Sequence, residues 1–499
     1  MVGESSGEVG WPILEETSPA PLVLRSETNL GAENGWVDAG SENEPVDLWT
    51  TPSDPSSLLI ANADPAKKPV VSKPAQKGHK FFEYSGHVRT RWESKQNFDF
   101  IYNRPSVQAG KADNDDNFFL TRVRVNLDLR PNPFLQAHVT LQDSRLFGSH
   151  QISNNALDRR GRNIFQNKTD LHEAWLKLKL GEAPMWLQAG RMQLNYGDQR
   201  LIGGFNWSNN ARAFDAVRFI YDKDDFRLDL VAANVVVVDS NAWDNHNGDD
   251  DLLMAYGTLK NLPQGTQDLY LIYRDNDEIH REIYTLGSRI NGKSGPIDWN
   301  LEGAYQWGTS VDTVAPTADP TRFLDHEAYA AHAELGYTCL NSPYKPRLAA
   351  GYDFATGDKD PNDGENNTFD NLFPTNHLHY GYMDFFSWRN INSPYLKLSW
   401  LQTKRLKIKT HWHLFWLDQE RNDAMYNAGG GVVRNAAGAD VSSFAGHELD
   451  IVATCSVRKD LKVELGYGHF FAQNYIADTS PDGDADDADF VYLQTVWSF

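Results

Sequence analysis

Apolar and polar positions alternate along the last stretch of the chain, Ala488–Phe499. One face carries Val491, Leu493, Thr495, Trp497 and Phe499. This two-residue period predicts a β-strand. In a soluble sheet, a strand that ends on a bare aromatic residue would leave an open edge that favours aggregation. Two interpretations are open for this stretch alone: the closing strand of a barrel whose outer surface meets lipid, or an ordinary buried terminal strand.

The same period recurs from Phe81 onward and predicts about 18 strands. In one of them, Val123 and Val125 alternate with Arg122 and Arg124. The predicted strands span residues 81–93, 118–130, 134–144, 171–180, 185–194, 213–222, 225–238, 252–260, 267–275, 281–291, 296–309, 326–338, 346–357, 394–402, 405–418, 444–457, 460–472 and 487–499. Each has one apolar and one polar face, so the predicted fold class is all-β.

The connections between these strands alternate between short and long. Even-numbered strands are followed by short turns such as 223–224 and 403–404, and odd-numbered strands by long segments such as 94–117 and 358–393. Only the short connection 276–280 breaks the rule. This layout is typical of a single antiparallel transmembrane β-barrel with short periplasmic turns and long extracellular loops. An even strand number lets the first strand pair with the last and removes both edges.

A barrel of this strand number is too wide for its own side chains to fill. We therefore expect an aqueous lumen. The short turns cannot block it, so constriction must come from outer loops that fold inward or from long side chains that face the lumen.

Residues 1–77 differ from the rest of the chain. They are rich in Ser, Pro, Ala, Glu and Asn and show no sustained periodicity, which predicts a disordered, low-complexity tail. Residues 78–499 are predicted to form the barrel. The first residues contain neither a basic segment nor an apolar one, so no signal peptide is visible. If the barrel lies in an outer membrane, we expect that the targeting segment has been removed or that the start is not the native one.

Composition excludes several classes of protein. The mean hydropathy is −0.56 and no run of 18 apolar residues occurs, which excludes a helical membrane protein. A formal net charge of −21 argues against nucleic acid as a partner. Cys339 and Cys455 have neither disulfide-framework nor zinc-ligand spacing. The absence of GxSxG and HExxH motifs predicts that the protein is not an enzyme.

Arginines recur on the polar faces of the predicted strands. Those expected to point inward are Arg89, Arg91, Arg122, Arg124, Arg191, Arg218, Arg227, Arg274 and Arg289, together with Lys177 and Lys179. They are interleaved with Glu83, Glu173, Asp215, Asp229 and Glu302. A ladder of guanidinium groups would lower the barrier for an anion along the pore. Alternatively, the arginines pair with the neighbouring carboxylates and stiffen the wall.

Acidic residues concentrate in the predicted loops. In residues 358–370, the spaced carboxylates Asp358, Asp360 and Asp363 are weak candidates for Ca²⁺ ligands. The sequence does not fit the full EF-hand pattern, and a solvated acidic loop is the favoured interpretation. No other cofactor is predicted.

Two stretches resemble the alginate export family of outer-membrane barrels. The first runs from Gly190 to Gly203 and continues through Asn206-Trp207 and Arg212–Arg218. The second begins at Gly357-Asp358-Lys359-Asp360 and continues through Thr368–His377 and Tyr380–Asp384. The resemblance implies a monomeric 18-stranded barrel in the bacterial outer membrane. It also implies passage of an anionic polysaccharide or other carbohydrate, together with periplasmic export components. An arginine-lined constriction follows from it, made here by Arg122, Arg124, Arg191 and Arg218 with Arg200 and Arg212.

Two features depart from the family's pattern: carboxylates interleave with the arginines, and the overall charge is strongly acidic. Three hypotheses therefore stand. The first is a channel for an acidic or other polysaccharide. The second is a general porin for small anions, sugars or organic solutes. The third is a surface adhesin or structural barrel with a closed lumen.

Overall fold

The computed structural model describes residues 81–98, 115–149, 165–240, 242–312, 319–480 and 483–499. The predicted tail, residues 1–77, lies outside the described residues. The strands are β1 (Phe82–Gln96), β2 (Asp116–Asn132), β3 (Leu135–Phe147), β4 (Asn167–Lys179), β5 (Met185–Met192), β6 (Phe214–Lys223), β7 (Phe226–Val237), β8 (Asn245–Leu262), β9 (Gly265–Asn276), β10 (Arg281–Ser294), β11 (Ile297–Asp312), β12 (Asp319–Thr338), β13 (Arg347–Ala355), β14 (Glu365–Asn366), β15 (Ile391–Leu401), β16 (Leu406–Trp416), β17 (Ala424–Tyr426), β18 (Val432–Asn435), β19 (Phe444–Arg458), β20 (Leu461–Ala472) and β21 (Ala488–Ser498).

Eighteen of these strands form one closed antiparallel barrel, as predicted. The exceptions are β14, which pairs in parallel with β12, and the separate hairpin β17–β18. The described helical segments are short: 3₁₀ turns at Asp277–Ile279 and Asn376–Leu378, and one α-helix, Asn474–Asp478. No helix in the described part of the chain is long and apolar enough to cross a membrane.

The first and last strands close the barrel. Thr90 on β1 lies opposite Thr495 on β21, and their Oγ1 atoms are 2.6 Å apart. At the very end of the chain, the backbone N–H of Gly86 donates to the carbonyl oxygen of Phe499 at 2.9 Å, and the N–H of Phe499 donates back at 3.0 Å. The terminal strand is therefore paired on both sides, which confirms the first of the two interpretations of residues 488–499.

The two faces of each strand meet different surroundings. On β9, Leu269 and Leu271 are exposed on the outer surface, whereas Tyr270 and Ile272 are buried inside. Large aromatic side chains are exposed on the outer surface near both ends of the barrel. They include Phe82, Tyr84, Trp497 and Phe499 at the short-turn end, and Tyr284, Tyr305 and Trp307 near the loop end. An apolar band between two aromatic rims is the surface expected of a barrel in an outer membrane.

Two strands begin earlier than predicted. β8 starts at Asn245 instead of residue 252, and β12 at Asp319 instead of residue 326. The acidic residues Asp249–Asp251 therefore lie on a strand and not in a loop. Backbone pairing alone can extend a hairpin beyond the lipid band, where the apolar alternation that predicts a strand is no longer needed.

Two long connections fold into the lumen, and we call residues 193–213 and 356–390 the plug. Ile202 and Phe373 form a bridge between them, and the N–H of Phe373 donates to the carbonyl oxygen of Leu201 at 2.8 Å. The plug contacts β1 and β2 on one wall and β11, β12 and β13 on another. It therefore crosses the barrel, and of the two predicted sources of constriction these contacts describe the inward-folded loops.

Candidate functional site

Four buried arginines line the inner face of β1 and β2. We call Arg89, Arg91, Arg122 and Arg124 the arginine cluster; their exposed fractions are between 0% and 7%. Arg89 lies directly opposite Arg122 in the strand register. Like charges in opposite positions destabilise a sheet. The cluster therefore requires acceptor atoms from another part of the protein.

Three consecutive carbonyl oxygens of the plug provide these acceptors. They belong to Asn206, Trp207 and Ser208, and they accept six hydrogen bonds of 2.8–3.3 Å from Arg89, Arg91 and Arg122. The guanidinium group of Arg91 also lies over the Trp207 ring, 3.7 Å from its centre. Ionised oxygens bind guanidinium groups more strongly than neutral carbonyls. The plug thus occupies positions that suit a carboxylate.

Asn209 holds this part of the plug in place. Its side-chain oxygen accepts from Arg89 at 3.0 Å. Its amide nitrogen donates to the carbonyl oxygens of Thr121, Arg145 and Phe165 at 2.8–3.2 Å. Because Asn209 is fully buried, losing these bonds would leave several polar groups unsatisfied.

Arg124 also binds neutral atoms. It donates to Gln142 Oε1 at 2.6 Å and to Asn206 Oδ1 at 3.0 Å, and its third contact is His172 Nε2 at 2.9 Å. A guanidinium group can only donate, so His172 Nε2 must be the acceptor. The cluster also contacts one carboxylate, that of Glu93, whose Oε1 lies 2.7 Å from Arg91 Nε.

The other predicted wall arginines bind carboxylates. The pairs are Arg191–Asp215 (2.8 Å), Arg218–Asp229 (2.6 Å), Arg227–Asp222 (3.1 Å), Arg274–Asp250 (2.8 Å) and Arg289–Asp268 (3.1 Å). The second interpretation of the sequence, a paired and stiffened wall, describes these five positions. Arg89 and Arg122 donate to carbonyl oxygens of the plug.

The two plug arginines that the sequence singled out, Arg200 and Arg212, join the plug to the wall and to itself. Arg200 lies 3.0 Å from Asp353 Oδ1 on β13 and 3.1 Å from His332 Nε2 on β12. Arg212 donates to the carbonyl oxygens of Gly203 and Pro374, both at 2.9 Å, and so connects the two plug segments. Burial lowers the pKa of Arg212 to about 10, and the charge of Arg274 acts in the same direction.

One carboxylate of the plug, Asp370, binds arginines of the wall. Asp370 pairs with Arg281 and lies 3.4 Å from Arg274. Although burial alone would raise the pKa of Asp370, Arg281 and Arg274 hold it well below its usual range. Asp370 is therefore ionised at neutral pH and fixes the plug to β9 and β10.

The carboxylates of Asp358, Asp360 and Asp363 accept hydrogen bonds from backbone N–H groups of their own loop. Asp358 Oδ1 accepts from the N–H of Asp360 at 3.2 Å, and Asp363 Oδ1 accepts from the N–H of Glu365 at 2.9 Å. Asp360 Oδ1 accepts from the N–H of Asn362 at 3.1 Å. In the described ranges, no three His, Cys, Asp or Glu side chains lie together so that they could hold a metal ion. Calcium binding at Asp358, Asp360 and Asp363 stays a prediction.

Several residues of the site were missed by sequence reasoning. They are the acceptors Asn206–Ser208, the anchor Asn209, and the wall residues His332, Asp353 and Glu448, the last of which accepts a hydrogen bond from the backbone N–H of Met383 in the plug. The last three lie at inward positions of their strands, so alternation predicts their direction. Which plug residue each one meets depends on contacts between distant parts of the chain.

The fold is similar to that of several solved structures from Pseudomonas aeruginosa. OccK8 (OprE) of Pseudomonas aeruginosa is 13% identical, with a TM-score of 0.54, over 84% of this chain and 98% of that one. OccK11 (OpdR) of the same organism is 13% identical, with a TM-score of 0.51, over 84% and 96%. OpdK of this organism, solved with vanillate, is 10% identical, with a TM-score of 0.53, over 84% and 98%.

At these identities, the solved structures show a shared fold alone. No curated protein sequence matches the chain. The family model for alginate export matches residues 83–486. The closed barrel and this match together define a channel-type β-barrel of the bacterial outer membrane. The chain therefore belongs to the alginate export family.

Proposed function

We propose that this protein conducts an acidic carbohydrate, an alginate-like polysaccharide or a related chain, across the outer membrane. The observation that carries the proposal is the arginine cluster, whose guanidinium groups are held by carbonyl oxygens of the plug. A carboxylated sugar offers the same guanidinium groups charged oxygens and a bidentate geometry. In this proposal the barrel acts as a monomer, and periplasmic export components deliver the chain.

The path opens when the plug segment 206–209 leaves β1 and β2. The arginines of the cluster then face the lumen and attract the carboxylates of the passing chain. The paired arginines elsewhere on the wall, among them Arg191, Arg218, Arg227, Arg274 and Arg289, contribute a polar surface with little net charge.

A second candidate function is a porin for small organic anions, sugars or other solutes. The five arginine–carboxylate pairs favour it, because a largely neutralised wall selects weakly by charge. OpdK, a barrel of the same fold, was solved with vanillate, a small carboxylate. A surface adhesin with a permanently closed lumen is the third hypothesis, and it predicts no conductance.

Reversal potentials in a planar bilayer under a salt gradient test the proposal. We expect anion selectivity and block by oligomannuronate added to the same cell. Arg122→Gln should reduce both effects. The matched control is the double variant Arg191→Gln/Asp215→Asn, which removes an inward arginine but leaves the net charge unchanged, so its selectivity should equal that of the unmodified protein.

The remaining outcomes contradict the proposal in different ways. A large pore that does not select anions and ignores oligomannuronate would identify a general porin. A protein that inserts but never conducts would favour the adhesin.

A further inference from the structure

The inner face of β3, β4 and β5 carries aromatic, amide and lysine side chains near the short-turn end of the lumen. Gln136, Lys177 and Gln188 lie side by side on these three strands. Trp175 occupies the next inward position of β4 on one side of this row, and Trp186 the next inward position of β5 on the other side. Neighbouring strands lie roughly 5 Å apart, and alternate residues of one strand roughly 7 Å. These five side chains therefore form one continuous surface, which we call the Trp–Lys patch.

The Trp–Lys patch faces the lumen on the periplasmic side of the arginine cluster. Leu176 and Leu178, on either side of Lys177 in the sequence, are exposed on the outer surface, so the lysine points inward. A short turn joins β4 to β5 next to the patch, and short turns of outer-membrane barrels lie on the periplasmic side. Farther along β4, His172 lies 2.9 Å from Arg124 of the arginine cluster. A solute that follows this wall from the periplasm therefore meets the patch before the cluster.

The polar atoms of the patch can bind a sugar. Within the residues that the structure describes, the side-chain amides of Gln136 and Gln188 and the indole N–H groups of Trp175 and Trp186 make no hydrogen bond to protein. An amide offers both donors and an acceptor to sugar hydroxyls. An indole combines an apolar face, against which the CH groups of a sugar ring pack, with an N–H donor.

Neighbouring side chains hold both indole rings in place. The ring of His138 stacks on Trp175, with 5.1 Å between the ring centres. The Nζ atom of Lys177 lies 4.9 Å from the centre of the Trp186 ring. A sugar unit that contacts Trp186 would therefore have the ammonium group of Lys177 within reach of a carboxylate on the same unit.

The carboxylates nearest to Lys177 do not neutralise it. The charged groups that act most strongly on this lysine are Arg218, Arg227, Asp229 and Asp222. Asp229 already binds both arginines, Arg218 at 2.6 Å and Arg227 at 3.2 Å, and Asp222 binds Arg227 at 3.1 Å. The two carboxylates are thus engaged by the two arginines, and the charge of Lys177 is left for a ligand.

The surrounding wall keeps this excess of positive charge. Lys260 shares the carboxylate of Asp222 with Arg227. Lys179, the next inward residue of β4, makes no ion pair within the described part of the chain. The third carboxylate of this wall, Asp128, lies 3.0 Å from His138 Nδ1. A concave surface with one sign of charge concentrates ligands of the opposite sign.

We propose that the Trp–Lys patch is a periplasmic-side binding site for a carboxylated polysaccharide, with sugar rings on Trp175 and Trp186 and a carboxylate on Lys177. This inference rests on the proposed function, because it takes the same class of solute. It adds a location below the arginine cluster and on the same wall. It also assigns a role to a lysine and two tryptophans that the arginine-based proposal does not use.

Calorimetric titration of the full-length protein with mannuronate trimer tests the inference, and mannotriose, the neutral trimer, is the reference ligand. We expect the unmodified protein to bind mannuronate trimer roughly tenfold more tightly than mannotriose, because only the first forms a charge-assisted hydrogen bond. Lys177→Met should remove most of this difference, whereas Lys177→Arg keeps the charge and should retain it. The matched control Lys223→Met removes one charge from an exposed position near a neighbouring short turn and should bind normally.

Replacing Trp186 tests the contact with the sugar ring. Trp186→Leu should weaken the binding of both trimers roughly fivefold, because it removes the aromatic face. Trp186→Phe keeps an aromatic face and should bind closer to the unmodified protein, which separates ring recognition from misfolding.

Several outcomes would overturn the inference. They are no binding of mannuronate trimer to the unmodified protein, equal binding by Lys177→Met, and an equal loss of affinity in the Lys223→Met control. If Arg122→Gln still lowered anion selectivity in the planar bilayer in that case, the proposed function would stand without the Trp–Lys patch. Binding at the patch by a protein that does not select anions would instead contradict the proposed function alone.

Discussion

The backbone N–H of Met383 in the plug donates to Glu448 Oε1 of β19 at 2.9 Å, and we call residues 381–384 around it the tip of the plug. Glu448 is fully buried, and Asp450 occupies the next inward position of the same strand. Across the pair of strands, His413 lies opposite Glu448 and His411 lies opposite Asp450. The tip of the plug is thus held by a buried acidic side chain of the wall, on a strand that only β20 and β21 separate from β1 of the arginine cluster.

Replacing Glu448 separates this hydrogen bond from the charge of the carboxyl group. In Glu448→Ala, the N–H of Met383 loses its acceptor in a buried position, which costs about 1–3 kcal/mol. We expect the plug tip to loosen and single-channel openings to become more frequent. Glu448→Gln keeps an oxygen acceptor and should open as rarely as the unmodified protein. If Ala and Gln variants opened equally often, the hydrogen bond would not be what holds the tip.

Gly381 provides an independent test of the same contact. Its φ of +86° lies in the left-handed region, and a Cβ added there would overlap the carboxylate of Glu448. Gly381→Ala therefore combines backbone strain with a steric clash, at a cost on the order of 1–3 kcal/mol. We expect more frequent openings, as in Glu448→Ala. Gly364→Ala is the matched control, because Gly364 also has a positive φ, of +95°, but open space around its Cβ position; it should leave the openings unchanged.

Arg200 is expected to be the strongest single attachment of the plug. It is buried with Asp353, and removing one partner of a buried pair typically costs 3–5 kcal/mol because the other charge is left uncompensated. Arg200→Met should therefore expose the plug to limited proteolysis. Adding Asp353→Asn removes the stranded charge while keeping an oxygen for His332, and protease resistance should partly return. Additive effects of the two substitutions would show that the residues are not coupled.

The barrel was predictable because its signal is local. Each strand shows its lipid face through alternating apolar residues, as Leu269 and Leu271 do on β9. The same alternation gave the inward direction of the arginines. Beyond the lipid band, this signal ends, which is why the first residues of β8 and β12 were assigned to loops.

The plug was only partly predictable because its contacts are not local. Arg89 and its acceptor Asn206 are 117 residues apart, and alternation gives the direction of a side chain but not its partner. The inward position of both Arg122 and Arg191 follows from period two. Arg191 binds Asp215, which lies directly opposite it in the register of β5 and β6. The carbonyl partners of Arg122 instead depend on how a long loop folds across the lumen.

The outer loop that ends at Asp244 should respond to pH. Burial raises the pKa of Asp244 from 3.8 to about 6, and the neighbouring carboxylate Asp170 acts in the same direction. Because the folded loop binds this proton more tightly than the unfolded chain, the protonated side chain stabilises the loop below pH 3.8. That contribution is lost as the pH rises to about 6.

The N–H of Asp239 donates to Asp244 Oδ1 at 2.9 Å, so hydrogen exchange at this amide reports on the loop. After correction for the intrinsic pH dependence of exchange, we expect its protection to fall between pH 4 and pH 6 and to become independent of pH in Asp244→Asn. Protection that stayed constant in the unmodified protein, or fell equally in the variant, would assign the pH response to another group.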